Sequence, residues 1–335
     1  MGSREFFRPA VTSASAILML LVATASAAQE SEFQVLTGFP ENSKPQRILT
    51  RSAKRITKDT NRSVELRYVS GSAMSGDKLL QEFLGDPALD AALLPGSSLD
   101  QLMPNAALYG QAFLFRDKHE VEFVRDRLDD EFIAALHTDE IIAVGLSGLG
   151  FLYLMGPEFD NGVDGLAGQT VWMPFESSYT ESVLGALSVQ TIMAAPSRID
   201  AAPTDLPNYI IHSPTALILN KKIPRPNLIL ESPLQYGYFI LVVKRADWDA
   251  LNADNRELLA LYFNKQLRNI ENKSLSASAR SLHLLTRRGM STVGLDSEEL
   301  TRLSALGENR EIAPSLLRLL QSVLKDYRDD QDDSS

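Results

Sequence analysis

Histidines at 119, 137, 212 and 283 are the first side chains to test for metal or proton chemistry, and none has a second ligand at the spacing a metal site needs. Gly148-Leu149-Gly150 lacks the third glycine of a dinucleotide fingerprint and leads into a strand pattern instead of a helix, so it offers no phosphate site. Ser147, within VGLSGLG, comes near a nucleophile elbow, but no helix signal follows it and it reads as a turn residue. Asp129-Asp130-Glu131 and Glu298-Glu299 supply paired carboxylates, yet both fall on polar faces beside apolar helical stripes, where solvated surface is the simpler reading. With no cysteine in 335 residues, thiol chemistry and disulfides are excluded. What remains is binding without a cofactor, by side chains at the ends of strands.

The elements that would position such side chains alternate. Phe33 to Phe39 reads as a first strand, and Asn42-Ser43 with Pro45 caps a helix to about Asp59. Ser63 to Val69 is a second strand, Asp77 to Leu84 a helix, and Leu89 to Leu94 a short apolar run of the buried parallel kind. This is the α/β rhythm. Lys118 to Ala135 carries Val121, Val124, Leu128 and Phe132 on one helical stripe. Ile141 to Leu146 and Phe151 to Met155 read as two strands crossing toward a second lobe, with Gly148 and Gly150 at the bend between them. Ser177-Ser178 caps a helix to Leu187, Val189 to Met193 is a strand, and Tyr236 to Lys244 is a buried strand returning to the first lobe. Asp254 opens a long amphipathic helix to about Ala279, with Leu258, Leu259, Leu261, Phe263, Leu267 and Ile270 as its apolar positions.

Three segments carry a resemblance. Gly165 to Pro174, GLAGQTVWMP, resembles the D-x-x-G-x-K-x-R-x-P signature with which substrate-binding proteins of TRAP transporters (tripartite ATP-independent periplasmic, DctP-type) enter their second domain. Leu102 to Asp126 resembles that family's P-x-L-F sequence followed by a charged residue and a helix. Lys244 and Trp248, leading into the long helix, resemble its closing pattern. The resemblance runs from Phe33 to about Val293 and implies an α/β, two-lobed periplasmic binding protein fold of the type II-like kind. In that fold two α/β domains are joined by crossing strands and a long bracing helix. It also implies a small organic solute and TRAP membrane subunits as partners, with no enzymatic activity.

Two departures qualify what the resemblance implies. In the family the arginine of the signature clamps the ligand carboxylate, and here Trp172 stands in its place; between Ala195 and Asn208 the usual Q-T-G helix end and V-D-G turn are missing. An indole offers one N–H donor and no charge, so simple dicarboxylates should bind poorly unless another cation takes over. Arg116, Arg198 and Arg225 are the alternatives, and surface or structural roles are the simpler reading for each. Trp172 itself could stack on an aromatic or apolar ligand, hold a cation, plug the cleft, or serve as a core tryptophan. Around it the predicted ligand-binding set is Phe39, Glu41, Met74, Ser97, Glu176, Tyr179, His212, Gln235 and Tyr236, with Ser177 and Tyr238 beside them. Aromatic and hydroxyl groups outnumber charges there, which suggests an uncharged or weakly charged ligand with an apolar portion.

Size and charge fit this picture. The N-terminus places Arg4 and Arg8 before an apolar run from Ala16 to Ala23 and small residues at Ala25-Ser26-Ala27, the order of a cleavable secretory signal, and no cysteine follows for lipid anchoring. Periplasmic export is the expectation. The formal charge of −10 disfavours nucleic acid and anionic membranes as partners. The expected organisation is a signal peptide over 1–28, domain I over 29–152 plus 237–293, domain II over 153–236, C-terminal helices over 294–328 packing on the lobes, and a disordered acidic tail over 329–335. An orphan sensor or scaffold that signals to a protein partner is the alternative function, and an exported hydrolase built on Ser147 a third.

Overall fold

The computed structural model describes residues 31–39, 41–71, 76–159, 162–173, 177–193, 207–221, 223, 225–306 and 311–332. The expected signal peptide lies outside them, as do Met74, Glu176, Arg198 and most of the departing segment from Ala195 to Asn208. Among the described residues no helix is long and apolar enough to cross a membrane.

One continuous sheet of ten strands organises these residues. In the first half, β1 (Ser31–Thr37) lies parallel between β2 (Val64–Ser70) and β3 (Ala91–Pro95). Helices α1 (Lys44–Asp59) and α2 (Gly76–Gly85) make the connections. Parallel strands need such crossovers, and the alternating pattern of the sequence supplies them. The capping of α1 is local and as predicted, because Ser43 Oγ accepts the Gln46 N–H at 3.2 Å and Pro45 occupies the first turn.

The second half is reached through β4 (Ile141–Gly156), a single strand of 16 residues where two were expected. Its first part pairs antiparallel with β9 (Gln235–Lys244), as far as Leu152 opposite Gln235. From Tyr153 onward it exchanges that partner for β7 (Tyr209–His212) and β8 (Leu228–Leu230). The predicted glycine bend is real but does not break the strand: the register shifts between Gly148 and Gly150, and Gly150 sits at φ +101. A bulge bends a strand while the ladder continues on either side. Beyond β7 come β5 (Thr170–Met173) and, at the edge, β6 (Gln190–Met193), both parallel, while β10 (Ser291–Val293) pairs with β8.

Helix α3 (Lys118–Ala134) starts at Asp117, whose carboxylate accepts the His119 and Glu120 N–H groups, and it buries the predicted Val121, Val124, Leu128 and Phe132. It also buries Glu120 and Arg125, which the stripe did not announce. Helices α4 (Ser178–Ala186) and α5 (Pro214–Leu219) follow β5 and β7, and the short α6 (Arg245–Ala250) follows β9. The bracing helix α7 runs Ala253–Arg287, well past the expected end near Ala279, and stops where Gly289 takes φ +97. Leu259, Phe263, Leu267 and Ile270 face inward, but Leu258 and Leu261 are exposed. The line through 259, 263, 267 and 270 fixes the inner face, and 258 and 261 lie off it at 3.6 residues per turn. Helices α8 (Ser297–Leu306) and α9 (Pro314–Asp332) close the chain. Asp329 to Asp332, expected in the acidic tail, instead form the last turn of α9, and the rest of that tail lies outside the described residues.

Three cores result. One lies under α1 and α7 on one side of the first half, with Phe33, Val35, Ile56, Phe239 and Phe263; a second fills the other lobe, with Val171, Met173, Val183 and Ile211. The largest runs on without a break from Leu36, Leu79 and Phe132 through Tyr236 and Tyr238 to Trp172, Tyr179 and Ile210. It therefore joins both halves of the sheet.

Candidate ligand cleft

Strand alternation on β9 decides which side chains enter the seam between the halves. Tyr236 and Tyr238 share one face with the joining core, while Phe239 points to the opposite core. The two tyrosine rings lie nearly parallel, at 14° with centroids 6.0 Å apart. The Tyr238 hydroxyl donates to the Ala106 carbonyl, in the 3₁₀ segment Pro104–Gly110. A Cβ on Gly96 would stand 2.5 Å from the Tyr238 ring, so glycine is what permits the β3 end to approach this closely.

Beside this floor, the start of α4 meets the end of β9 through buried polar groups. Gln235 Nε2 donates to Ser177 Oγ at 3.1 Å, and Gln235 Oε1 accepts from Thr180 Oγ1 at 3.0 Å. Ser177 is also the cap of α4, its hydroxyl accepting the Thr180 N–H. Ser178 Oγ then donates to Asp100 Oδ2 at 2.6 Å, a direct bond from the second lobe to the loop that follows β3. These bonds satisfy groups that would be costly to bury unpaired.

Trp172, on β5, is fully buried, and its ring meets the His212 ring edge to face, with centroids 5.6 Å apart. His212 Nδ1 accepts the Ser213 N–H at 2.9 Å, which places the ring proton on Nε2. Burial pushes its pKa down from 6.5 to about 4, so the ring is a neutral donor at physiological pH. Burial likewise drives the Tyr236 and Tyr238 hydroxyls well above their ordinary value, and they remain protonated donors.

The predicted set is therefore divided by the fold. Trp172, Tyr179, His212, Gln235 and Tyr236 gather along the seam. Phe39 instead packs edge to face on Phe239 at 5.1 Å, in the core beneath α1 and α7. Strand alternation on β9 explains this, since Phe239 points away from Tyr236 and Tyr238. Glu41 is exposed in the turn before α1, and Ser97 is half-buried in the turn after β3. Met74 and Glu176 lie outside the described residues. Arg116 and Arg225 are exposed, and the Arg116 N–H donates to Glu120 at 2.6 Å. Ser147 is buried with its hydroxyl donating to the Leu267 carbonyl at 3.0 Å, which is a packing role.

Sequence reasoning missed Asp100, Ser178 and Thr180. The capping serine pair was the one signal near them; Asp100 is 78 residues from Ser178 and carries no local mark. Among the described residues no group of three His, Asp or Glu side chains could hold a metal ion. The groups the seam brings together are aromatic rings, hydroxyls, one amide, one neutral imidazole and one carboxylate. Such a set recognises shape and hydrogen-bonding groups more than it recognises negative charge.

No family profile matches the chain, and no curated protein does. Solved structures do. A TRAP periplasmic solute-binding protein from Ochrobactrum anthropi, with its C-terminus bound in the ligand-binding pocket, is similar over 90% of this chain and 97% of its own at TM-score 0.76 and 17% identity. A TRAP periplasmic solute-binding protein from Desulfovibrio salexigens, in complex with diglycerolphosphate, is similar over 90% and 99% at TM-score 0.76 and 13% identity. Another from Xanthobacter autotrophicus, with bound β-D-galacturonate, covers 88% and 99% at TM-score 0.72 and 13% identity. The chain has the two-lobed α/β fold of the TRAP periplasmic solute-binding proteins.

Proposed function

We propose that this chain is the periplasmic solute receptor of a TRAP-type transporter, closing its lobes over a small organic molecule and delivering it to membrane subunits. The division into lobes falls where β4 exchanges β9 for β7 and β8, which supports domain I over 29–152 with 237–293 and domain II over 153–236. Closure would be a hinge motion about that crossing, driven by the ligand's stronger binding to the closed form.

One observation carries the ligand class: Trp172, where the family signature has its carboxylate-clamping arginine, packs on a neutral histidine. The ligands named for the Desulfovibrio and Xanthobacter proteins are a phosphate ester and a sugar acid. Here the seam favours an uncharged or weakly charged solute with an apolar portion, not a simple dicarboxylate. A thermal-shift panel tests this by setting polyols, aromatic alcohols and amides against β-D-galacturonate and glycerol 3-phosphate. The neutral classes should raise the melting temperature in proportion to ln(1 + [L]/Kd), and a larger rise with the acids would refute the assignment.

A second reading is favoured by the burial of Trp172 in a core continuous between the lobes. A lobe seam already filled by an indole suits a sensor or scaffold that holds the closed shape without solute. In that case no solute class shifts the melting temperature, and none co-purifies in native mass spectrometry.

A further inference from the structure

Arg125 is 2% exposed and lies among four other groups. Its guanidinium makes an ion pair with Glu271 on α7, bonds Asp129 at 2.8 and 3.0 Å, and reaches the Leu146 carbonyl on β4 at 3.4 Å and the Tyr236 hydroxyl at 3.5 Å. Tyr236 in turn donates to Glu271 Oε1 at 2.6 Å. The other carboxylate oxygen of Glu271 is buried and accepts no hydrogen bond among the described residues. Desolvation acts against the charge on Arg125, and its surroundings, the facing carboxylates of Asp129 and Glu271 among them, more than offset it.

The place of this cluster is what gives it meaning. Gly148 opens the bulge on β4, and a Cβ there would collide with the Tyr236 hydroxyl and stand 2.7 Å from Glu271 Oε1. The pair thus meets β9 at the point where the crossing strands shift register. Two of the side chains that form the seam, Tyr236 and through its stack Tyr238, are fixed from behind by it. Buried ion pairs are weak stabilisers, because desolvation cancels most of the attraction, so an apolar pair of similar volume would hold the fold equally well. What an apolar pair cannot supply is a directed acceptor for the Tyr236 hydroxyl.

We propose that the Arg125–Glu271 pair is a positioning element for the hinge: it fixes the Tyr236 hydroxyl at the β4 bulge, holding the first-lobe side of the crossing rigid so that lobe motion is confined to the β7 and β8 side. The proposal rests on the receptor reading only in that lobe motion has a use; the clamp itself is a property of the chain alone.

Hydrogen exchange read by mass spectrometry, on the full mature chain without any solute, tests it. Tyr236→Phe removes only the hydroxyl and should accelerate exchange about tenfold at the amides of 147–151 and 236–239, the equivalent of one charge-assisted hydrogen bond, while β1 to β3 keep wild-type rates. The paired replacement Arg125→Met with Glu271→Leu leaves neither of these two charges buried alone, and Asp129 keeps Arg268 at 3.3 Å and the Tyr109 hydroxyl at 3.1 Å. It should melt near the wild type yet show the same local acceleration. Wild-type exchange at the crossing in Tyr236→Phe, or acceleration spread evenly over the sheet, would overturn the proposal. A failure of the receptor reading appears elsewhere, as a solute panel with no response, and leaves the exchange result unaffected.

Discussion

Trp172 and His212 touch edge to face across neighbouring strands, the indole fully buried and the imidazole held neutral with its Nδ1 lone pair committed to the Ser213 N–H. His212 pairs with Tyr153 where β4 takes up β7, Trp172 lies on the next strand, and together they define the second lobe's side of the seam.

The indole contributes through volume. Trp172→Ala should destabilise the fold by about 3–5 kcal/mol, the cost of a large cavity in a core that cannot collapse, and Trp172→Phe by clearly less. Urea unfolding at pH 7.5 measures both. Near-equal losses would mean that the indole is not packed as described.

Acid should weaken the fold through His212. Its folded pKa of about 4 lies below the unfolded value of 6.5, so on acidification the unfolded chain takes up a proton that the folded chain refuses. The contribution is complete above pH 6.5, is lost as pH falls toward 4, and has an upper limit of about 3 kcal/mol. Denaturation midpoints at pH 7.5, 5.5 and 4.5 should fall more steeply for wild type than for His212→Gln. Parallel curves would refute the assignment.

The Ser178–Asp100 hydrogen bond should hold the lobes together. Ser178→Ala removes it and should cost about 1–2 kcal/mol, with a larger radius of gyration in solution scattering; Asp100→Asn, which keeps an acceptor, should stay compact. Identical scattering for wild type and Ser178→Ala would show that the lobes close without this bond.

Gly148 should tolerate no side chain while Tyr236 keeps its hydroxyl. Gly148→Ala is expected to cost about 1–3 kcal/mol by overpacking, and the added change Tyr236→Phe should recover part of it. Strict additivity of the two losses in thermal unfolding would place the clash elsewhere.

Local signals in the sequence determined most of the elements. Ser43 and Ser177 cap helices through hydroxyls three residues from their partners, and the apolar runs of β3 and β9 follow from their own composition. Where geometry hinged on a longer reach, prediction stopped. A bulge keeps β4 whole because β9 lies alongside to pair with it, and glycines alone could not reveal that. The exposure of Leu258 and Leu261 depended on which of several helical stripes found a sheet to cover it. Phe39 went to the wrong side of the predicted site because its partner, Phe239, is on the opposite face of β9 from Tyr236 and Tyr238.

What the chain alone determined was its two-lobed α/β rhythm and its capped helices. Only tertiary structure decided that Arg125 meets Glu271 across 146 residues, and that Asp100 meets Ser178 across 78. Periodicity and capping are written within a few residues because backbone geometry repeats at that range. A buried polar contact is chosen by packing, which brings together groups whose sequence neighbours say nothing about their future partners.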